Sequence, residues 1–533
     1  MTIPHFSITD PLPSGTVLLE ASAGTGKTWT IAALVTRYVA EGVVLLPEML
    51  VVTFGRAASQ ELRARVREQL VAAERALSDP PPPDQRDDLL TLLLDVDEQE
   101  RQVRRRRLRT ALSDIDAATI ATTHQFCQQV LRSLGVAGTA DAGAELVDDL
   151  DRLLVEVVDD LYLRAFALRD DEPFFTRREA LQIARTVVDD IHADLQPNAA
   201  EPGSVPGRRV RFARAVRAEL DLRKQRLQVM HYNDLLTQLA DALERDDSPA
   251  RARMRGRWKV VLVDEFQDTD PIQWSVLDRA FTGQAHAMVL IGDPKQAIYA
   301  FRGGDVPTYL TAAATADDRR TLPRNFRSDP GLTQALGSML TGAQLGDEQI
   351  VVHPVTAHRT GSRLTGAPSS APVRVRQVLL RDHLGGDTRM PTVRPWIARD
   401  LAHDVATLLA SGATFDGRPI QARDVAVLAH RAKDLLEAQS ALRELGIPAV
   451  STGGSSVLAS RAAHEWLALL EAMVAPHRPM LTRAAALTDL LGYAVAQVGA
   501  RGEREDADLE DELAQTCREL AGVYARHGVA AVL

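Results

Sequence analysis

The chain has 533 residues, of which 45% are hydrophobic and 25% charged, and its formal net charge is −10 at pH 7. These values are typical of a large globular protein with several domains, and they exclude a wholly basic nucleic-acid coat, although a local basic groove is compatible with them. The two cysteines, Cys127 and Cys517, give no disulfide framework. Because the sequence has no apolar run of about 18 residues and no basic-then-apolar start, we expect a cytoplasmic protein without a membrane span.

A glycine-bearing loop follows the apolar run at residues 17–19 and precedes a segment with helical periodicity at residues 31–39. The order strand, loop, helix predicts a phosphate cradle, because backbone N–H groups at the positive end of a helix bind phosphate oxygens. The candidate ATP-binding residues are Glu20, Ala21, Ser22, Ala23, Gly24, Thr25, Gly26, Lys27 and Thr28. Within this set we expect Lys27 to reach the β- and γ-phosphates and the Thr28 hydroxyl to hold Mg²⁺.

One loop position departs from the usual pattern, which begins with a glycine where this chain has Ala21. A chance glycine turn before a helix is therefore the alternative interpretation. The placement of Gly24, Gly26, Lys27 and Thr28 between a strand and a helix disfavours that alternative. The loop still needs support from a second element of the sequence.

Residues 49–53 have the pattern of a further strand, and a long helical insertion follows, which returns briefly to the sheet near residues 117–126. Within the insertion, the four arginines at 104–107 resemble a phosphate-binding patch. A solvated helix face on which they pair with Asp97, Glu98 and Glu100 is the favoured interpretation.

A continuous apolar run at residues 260–263 predicts a strand that is buried on both faces, as in a parallel sheet. Asp264 and Glu265 follow at its carboxyl end, where open α/β sheets bind their ligands. We expect Asp264 to coordinate Mg²⁺ through water and Glu265 to polarise an attacking water. An acidic pair by itself favours a solvated turn, whereas its combination with the loop at Lys27 favours catalysis.

A third apolar strand, residues 287–292, precedes Gln296, whose neutral amide both donates and accepts hydrogen bonds. Gln296 is therefore a candidate catalytic residue that contacts the γ-phosphate or the attacking water. Tyr299 and Phe301 follow, and aromatic faces stack on the bases of single strands without reading their sequence. For each ring taken alone, a place in the core is an equally good interpretation.

Together, residues 21–28, 264–270 and 292–303 resemble the motifs of superfamily 1 DNA helicases of the UvrD/RecB type. Further segments similar to that family are residues 51–62, 120–128, 231–236, 322–328, 424–428 and 446–454. The resemblance implies an α/β fold with two RecA-like P-loop motor domains, each a parallel sheet flanked by helices, and with large all-helical insertions.

By this likeness, residues 1–75 and 231–320 form the first motor domain, which the helical insertion at 76–230 interrupts. Residues 321–475 are expected to form a partial second motor domain, and residues 476–533 the start of a second helical insertion. Within the second motor domain, the sequence predicts strands at 372–379, 425–429 and 448–451 and a helix at 433–445. The last two motifs of the family and a nuclease-type acidic metal cluster do not appear in the sequence. We therefore expect an incomplete second motor domain and the amino-terminal part of a longer protein.

The resemblance also implies roles for individual residues. Arg327 corresponds to an arginine that senses the γ-phosphate, so it joins Asp264, Glu265 and Gln296 as a catalytic residue. The residues expected to touch single-stranded DNA, or to couple it to Gln296, are Thr53, Phe54, Thr123, His124, Phe126, Tyr299, Phe301 and Arg302.

The function that the resemblance implies is ATP- and Mg²⁺-dependent 3′–5′ movement along single-stranded DNA, at DNA ends, in double-strand-break repair and recombination. RecC-like and RecD-like partner subunits of an exodeoxyribonuclease V complex are implied with it. A truncated subunit that binds ATP and DNA with little hydrolysis stays open, since loss of an arginine finger costs about 10³-fold or more in rate. Gln296 and residues 325–327 disfavour an unrelated P-loop ATPase, and Lys27 and Glu265 disfavour a pure DNA-binding scaffold.

Overall fold

The computed structural model of the chain describes residues 3–134, 145–147, 150–166, 173–189, 195–197, 201, 203–298, 304–451, 457–498 and 503–532. The described chain divides into two compact units. Unit 1 runs to Arg363 and includes Ala371–Val375, and unit 2 contains Leu364–Ser370 and the residues from Arg376 onward.

Strands are concentrated in unit 1. In chain order they are β1 (Gly15–Glu20), β2 (Met49–Thr53), β3 (Thr119–Thr122), β4 (Glu145–Leu146), β5 (Val229–Met230), β6 (Val260–Val263), β7 (Ala287–Gly292), β8 (Asp318–Thr321), β9 (Arg324–Asn325), β10 (Thr356–Ala357), β11 (Leu364–Thr365), β12 (Thr414–Phe415) and β13 (Arg418–Pro419).

Helices make up most of the rest of the described chain. They are α1 (Lys27–Ala40), α2 (Arg56–Ser78), α3 (Asp88–Leu94), α4 (Glu98–Ser113), α5 (Thr123–Leu134), α6 (Asp151–Phe166), α7 (Arg177–Asp189), α8 (Val205–Leu227), α9 (Tyr232–Ala242), α10 (Pro249–Arg257), α11 (Pro271–Phe281), α12 (Val306–Thr315), α13 (Pro330–Leu340), α14 (Leu380–Leu384), α15 (Met390–Ala410), α16 (Ala432–Glu444), α17 (Arg461–Val474), α18 (Pro479–Ala486), α19 (Val495–Val498) and α20 (Glu503–His527).

The centre of unit 1 is a parallel sheet whose described strands lie in the order β3-β2-β6-β7-β1-β8. Every residue of β2, β6 and β7 is buried. Their unbroken apolar runs have this pattern because a parallel sheet is covered by helices on both faces. The α/β class and the strands predicted at 49–53, 260–263 and 287–292 are confirmed.

Side chains of β1 alternate between two hydrophobic cores, one on each face of the sheet. Val17 and Leu19 belong to the core that α1, α2, α3 and α4 cover. Leu18 belongs to the other core, which α5, α9, α10, α11 and α12 cover. This alternation follows from the period of two in a strand. Because all the strands are parallel, their carboxyl ends meet at one edge of the sheet.

The helical insertion has a core of its own, formed by α6, α7 and α8. The predicted pairing with Glu100 is confirmed for Arg104 and Arg107, but the arginines of α4 do not form a wholly solvated face. Arg105 and Arg109 contact Glu74 on α2, and Arg107 donates to the carbonyl of Ala40 at 2.9 Å. These contacts fasten α4 to its neighbours, so the guanidinium groups of Arg105 and Arg107 are held by protein groups.

Unit 2 contains a small antiparallel sheet, β11-β12-β13, and helices with separate small cores. The helix predicted after residue 430 is confirmed as α16. The strands predicted at 372–379, 425–429 and 448–451 are wrong, because those residues have no regular secondary structure. Val375, Leu428 and Val450 are 87%, 94% and 90% exposed. An apolar run forms a strand only with a pairing neighbour and a face to bury.

Among the described residues, no helix combines the length and the apolar character that crossing a membrane requires. A parallel RecA-like sheet in unit 2 stays a prediction.

We expect Leu262→Ala in β6 to lower the stability of unit 1 by about 2–5 kcal/mol, because this fully buried leucine leaves a cavity between sheet and helices. Leu45→Ala is the matched control, since that side chain is 62% exposed, and it should change stability by less than about 0.5 kcal/mol. The measurement is the hydrogen-exchange rate of the β6 and β7 amides as a function of urea concentration, which reports the free energy of unfolding of unit 1 alone. Equal effects of the two substitutions would contradict the described burial.

Candidate nucleotide-binding site

A glycine-bearing loop joins β1 to α1 at the carboxyl edge of the sheet. Gly24 and Gly26 have φ angles of +80° and +89°, in the left-handed region that favours glycine. A Cβ atom on Gly24 would lie 2.7 Å from the Cβ of Arg327. The first N–H groups of α1, which begins at Lys27, have no carbonyl partner within the helix. The loop therefore presents backbone donors at the positive end of a helix, as the sequence predicts.

Lys27 and Glu265 meet at this edge. The Lys27 Nζ atom lies 2.5 Å from Oε2 of Glu265, and the two side chains are 11% and 37% exposed. Glu265 itself has a φ of +50°, a conformation uncommon for a residue other than glycine. The turn after β6 therefore holds the carboxylate toward the loop, and the structure brings these two predicted residues into direct contact.

Burial and neighbouring charge shift two further carboxyl groups. Burial, and then the charge of Glu265, raises the pKa of Asp264 to about 6, although Lys27 acts in the opposite direction. The same causes raise the pKa of Asp268 to about 6. Asp264 accepts a hydrogen bond from the Glu265 N–H at 3.0 Å. The Lys27 ammonium thus contacts Glu265 and also acts electrostatically on Asp264 and Asp268.

This donor set fits a triphosphate with Mg²⁺. Mg²⁺ prefers oxygen ligands and is commonly held by one or two carboxylates together with substrate phosphates. Within the described part of the chain, no group of three or more acidic, histidine or cysteine side chains is placed to hold a metal ion by itself. The residues that would hold the metal ion are Asp264 and Thr28, and Thr28 lies in the first turn of α1. The Lys27 ammonium group would face the phosphates.

Gln296 lies in the turn after β7 and is joined to the acidic pair through Gln267, a residue that the sequence interpretation does not name. The Gln267 amide donates to Oε2 of Glu265 at 2.9 Å and accepts from the N–H of Asp293 at 2.9 Å. Asp293 in turn accepts from the Gln296 amide at 2.7 Å. The sequence indicates this connection only through the polar residues Gln267 and Asp293, which directly follow strands inside the segments 264–270 and 292–303.

Two of the predicted ATP-binding residues, Glu20 and Ala21, are buried and in contact with other parts of the protein. Glu20 is 2% exposed, and its carboxylate contacts Lys295 and Arg319. Ala21 is fully buried, and its N–H donates to the carbonyl of Gly292 at 2.9 Å. Strand pairing and burial thus already engage both residues, and the structure gives no support to their predicted role in ATP binding.

Arg327 lies beside the loop, in a segment that is docked onto it by hydrogen bonds. Asn325 donates from its side chain to the carbonyl of Ala23 at 2.9 Å, and Phe326 N–H donates to the carbonyl of Gly24 at 2.8 Å. The Asn325 side chain also accepts from the N–H of Arg327 at 3.0 Å. Arg327 is exposed, and its main chain is fixed next to the predicted phosphate cradle.

Seven of the eight predicted DNA-contacting residues fall into three groups. Phe54 and His124 follow β2 and β3 at the same edge of the sheet and are partly exposed. Thr53 and Thr123 are 2% and 7% exposed. Tyr299, Phe301 and Arg302 lie outside the described residues.

Phe126 is a separate case, because its ring is fully buried and packs edge to face against Trp258 at a centroid distance of 5.6 Å. The prediction that Phe126 touches DNA is wrong, since it lies on the inward face of α5, in the core beneath β3.

A parallel sheet with a glycine loop after one strand and an acidic pair after another is the arrangement of a P-loop nucleotide-binding domain, as in RecA-like folds. The chain belongs to the UvrD/REP helicase family, because residues 7–317 match that family's N-terminal domain.

Named relatives agree with the family. The chain is 54% identical over 525 residues to the RecBCD enzyme subunit RecB of Mycolicibacterium smegmatis (strain ATCC 700084 / mc(2)155), covering 98% of this chain and 47% of that protein. It is 53% identical to the RecB subunit of Mycobacterium tuberculosis (strain ATCC 25618 / H37Rv), covering 99% and 48%. It is 26% identical to the RecB subunit of Escherichia coli (strain K12), covering 93% and 53%. The chain thus spans about half the length of the curated relatives it matches.

We expect Gly24→Ala to weaken nucleotide binding by about 10- to 100-fold, because the left-handed backbone is strained by about 1–3 kcal/mol with a side chain and the new Cβ would displace the segment at Arg327. Gly55→Ala is the matched control, since its φ is −130° and an added Cβ meets nothing within 4 Å. Equilibrium binding of a fluorescent ATP analogue to each variant is the measurement. Wild-type affinity in Gly24→Ala would show that the loop does not hold the nucleotide.

Proposed function

We propose that the chain is the ATP-driven motor part of a 3′–5′ single-stranded DNA translocase or helicase subunit of a RecBCD-like complex. The observation that carries this proposal is the direct contact of Lys27 with Glu265, extended by hydrogen bonds through Gln267 and Asp293 to Gln296. These contacts join the predicted phosphate-binding loop, the predicted catalytic carboxylate of Glu265 and the amide of Gln296 at one edge of the sheet.

ATP is the proposed substrate at this edge. The N–H groups of the loop and the Lys27 ammonium bind the phosphates, which compete with Glu265 for that ammonium. Glu265, once its carboxylate is released, accepts a proton from the attacking water. Gln296 contacts the γ-phosphate or that water, and Arg327 stabilises the charge that develops on the transferred phosphoryl group. Mg²⁺, when bound by Asp264 and Thr28, neutralises phosphate charge.

Single-stranded DNA is the proposed track. Phe54 and His124 lie at the carboxyl ends of β2 and β3, on the same edge as the nucleotide residues. These two partly exposed side chains would provide the surface over which DNA passes, whereas Thr53 and Thr123 beside them are 2% and 7% exposed. A strand bound there would be coupled to Gln296 through the turn after β7. The relatives' printed name, RecBCD enzyme subunit RecB, supports RecC-like and RecD-like partners. Action at DNA ends in recombinational repair is proposed from the sequence resemblance alone.

A second candidate function is ATP and DNA binding with little hydrolysis by this chain alone. The observation in its favour is that the predicted strands of a second motor domain at 425–429 and 448–451 are not formed, and that Leu428 and Val450 are exposed. Turnover of ATP by the purified chain, with and without single-stranded oligonucleotides, separates the two. Turnover that DNA stimulates supports the motor, and tight binding of ATP without turnover supports the second candidate.

We expect Lys27→Ala to weaken ATP binding by about 10- to 100-fold, because a charge-assisted hydrogen bond to phosphate contributes about 1.5–3 kcal/mol. Lys259→Ala is the matched control. Lys259 directly precedes β6, at the end of that strand opposite Glu265, where it pairs with Glu48 and is 51% exposed. Binding of a fluorescent ATP analogue is the measurement. Equal affinities of the two variants would remove Lys27 from the site.

We expect Glu265→Gln to lower the rate of hydrolysis by about 10²- to 10⁴-fold while ATP binding is kept, because the amide fills the same space but accepts no proton. Single-turnover hydrolysis, measured beside equilibrium binding, separates the two effects. Loss of binding in place of hydrolysis would contradict the assigned role of Glu265. If the wild-type chain has no turnover, the second candidate function holds instead.

A further inference from the structure

A buried carboxylate lies directly behind the phosphate loop. Glu20 ends β1, is 2% exposed, and accepts from Arg319 on β8 at 2.8 Å through Oε2. Its other oxygen accepts from Lys295, in the turn after β7, at 3.3 Å. Glu20 thus contacts both strands that flank its own strand in the sheet.

The contacts continue from Lys295 through Asp293 to Gln296. The Lys295 ammonium lies 2.6 Å from Oδ1 of Asp293, and Oδ2 of Asp293 holds the Gln296 amide at 2.7 Å. Two carboxylates, Glu20 and Asp293, therefore share two cations, Lys295 and Arg319. The cluster is charge-balanced and lies largely out of water, so the loss of one member leaves an uncompensated charge.

The main chain of Glu20 adds a third connection. Its carbonyl accepts from the Thr321 hydroxyl at 2.8 Å and from the Leu322 N–H at 3.3 Å. These residues begin the segment that leads to Arg327 and docks onto the loop. Glu20 therefore directly precedes the loop that leads to Lys27, and it contacts the beginnings of the segments that lead to Gln296 and Arg327.

We propose that Glu20 is a positioning residue, which acts through Lys295 and Arg319 to fix the Gln296 turn and the Arg327 segment relative to the phosphate loop. This proposal rests on the proposed ATPase function. Because Glu20 is buried behind the loop and neutralised there, it changes the alignment of the groups around the γ-phosphate without contacting ATP. Misplacement of such groups by about 1 Å costs about 10²-fold in rate.

The test uses the full chain and the substitution Glu20→Gln, with Glu48→Gln as the matched control. Glu48 pairs with Lys259 at the opposite edge of the same sheet. We expect Glu20→Gln to lower the maximal ATPase rate by about 10²-fold, while affinity for a fluorescent ATP analogue stays within about threefold of wild type. We also expect ATP-induced hydrogen-exchange protection of residues 293–298 to be lost, whereas protection of the loop at 22–28 is kept. The Glu48→Gln variant should match wild type in every measurement.

Arg319→Gln is the second variant, since Arg319 is 32% exposed and its replacement leaves Glu20 paired with Lys295. We expect the same pattern, with recovery in Arg319→Lys. If Glu20→Gln does not fold, these two variants decide the question. Loss of ATP affinity that equals the loss of rate would overturn the proposal, and so would retained protection of residues 293–298.

The exchange measurement requires ATP binding but no turnover. If the wild-type chain binds ATP without hydrolysing it, the proposed motor activity fails. The difference in protection between wild type and Glu20→Gln then still supports or overturns the positioning role.

Discussion

The ion pair of Lys27 with Glu265 joins residues that are 238 positions apart in the chain, and the candidate site depends on it. The pair forms because β6, β7 and β1 are parallel neighbours, so the segments that follow them leave the sheet at one edge. The first turn of α1 and the turn after β6 then meet across the end of β7. The order of the strands therefore determines which side chains are available for chemistry.

Around that ion pair, negative groups exceed positive ones. Asp264, Glu265 and Asp268 lie near Lys27, and burial with mutual repulsion raises the pKa of Asp264 and Asp268 to about 6. Crowded carboxylates are unfavourable alone, and a divalent cation relieves their repulsion. The arrangement has the electrostatic character of a site that accepts a metal ion together with an anionic substrate, whose phosphates would take over Lys27.

The parts of the fold that were predictable from the sequence are those with a strong local signal. Unbroken apolar runs indicated β2, β6 and β7, and the glycines and Lys27 indicated the loop before α1. The predicted DNA contact of Phe126 is wrong, because a motif likeness does not show which side of a helix a residue occupies. In α5 this ring lies on the inward side and packs in the core against Trp258. The strands predicted at 425–429 and 448–451 are not formed, because strand formation depends on pairing with residues far away in sequence. Gln267 was missed because its importance arises from contacts with Asp293, on another strand end.

Glu20 shows why position next to a motif does not establish contact with a ligand. A carboxylate one residue before the loop would repel a triphosphate if it faced the same cavity. The structure resolves this conflict by burying Glu20 with Arg319 and Lys295, so its charge is neutralised locally. The same reasoning applies to the whole chain, whose net charge of −10 is compatible with an anionic substrate. Binding depends on the nearest groups, because charges farther away than about 10 Å are largely screened at 0.1 M salt.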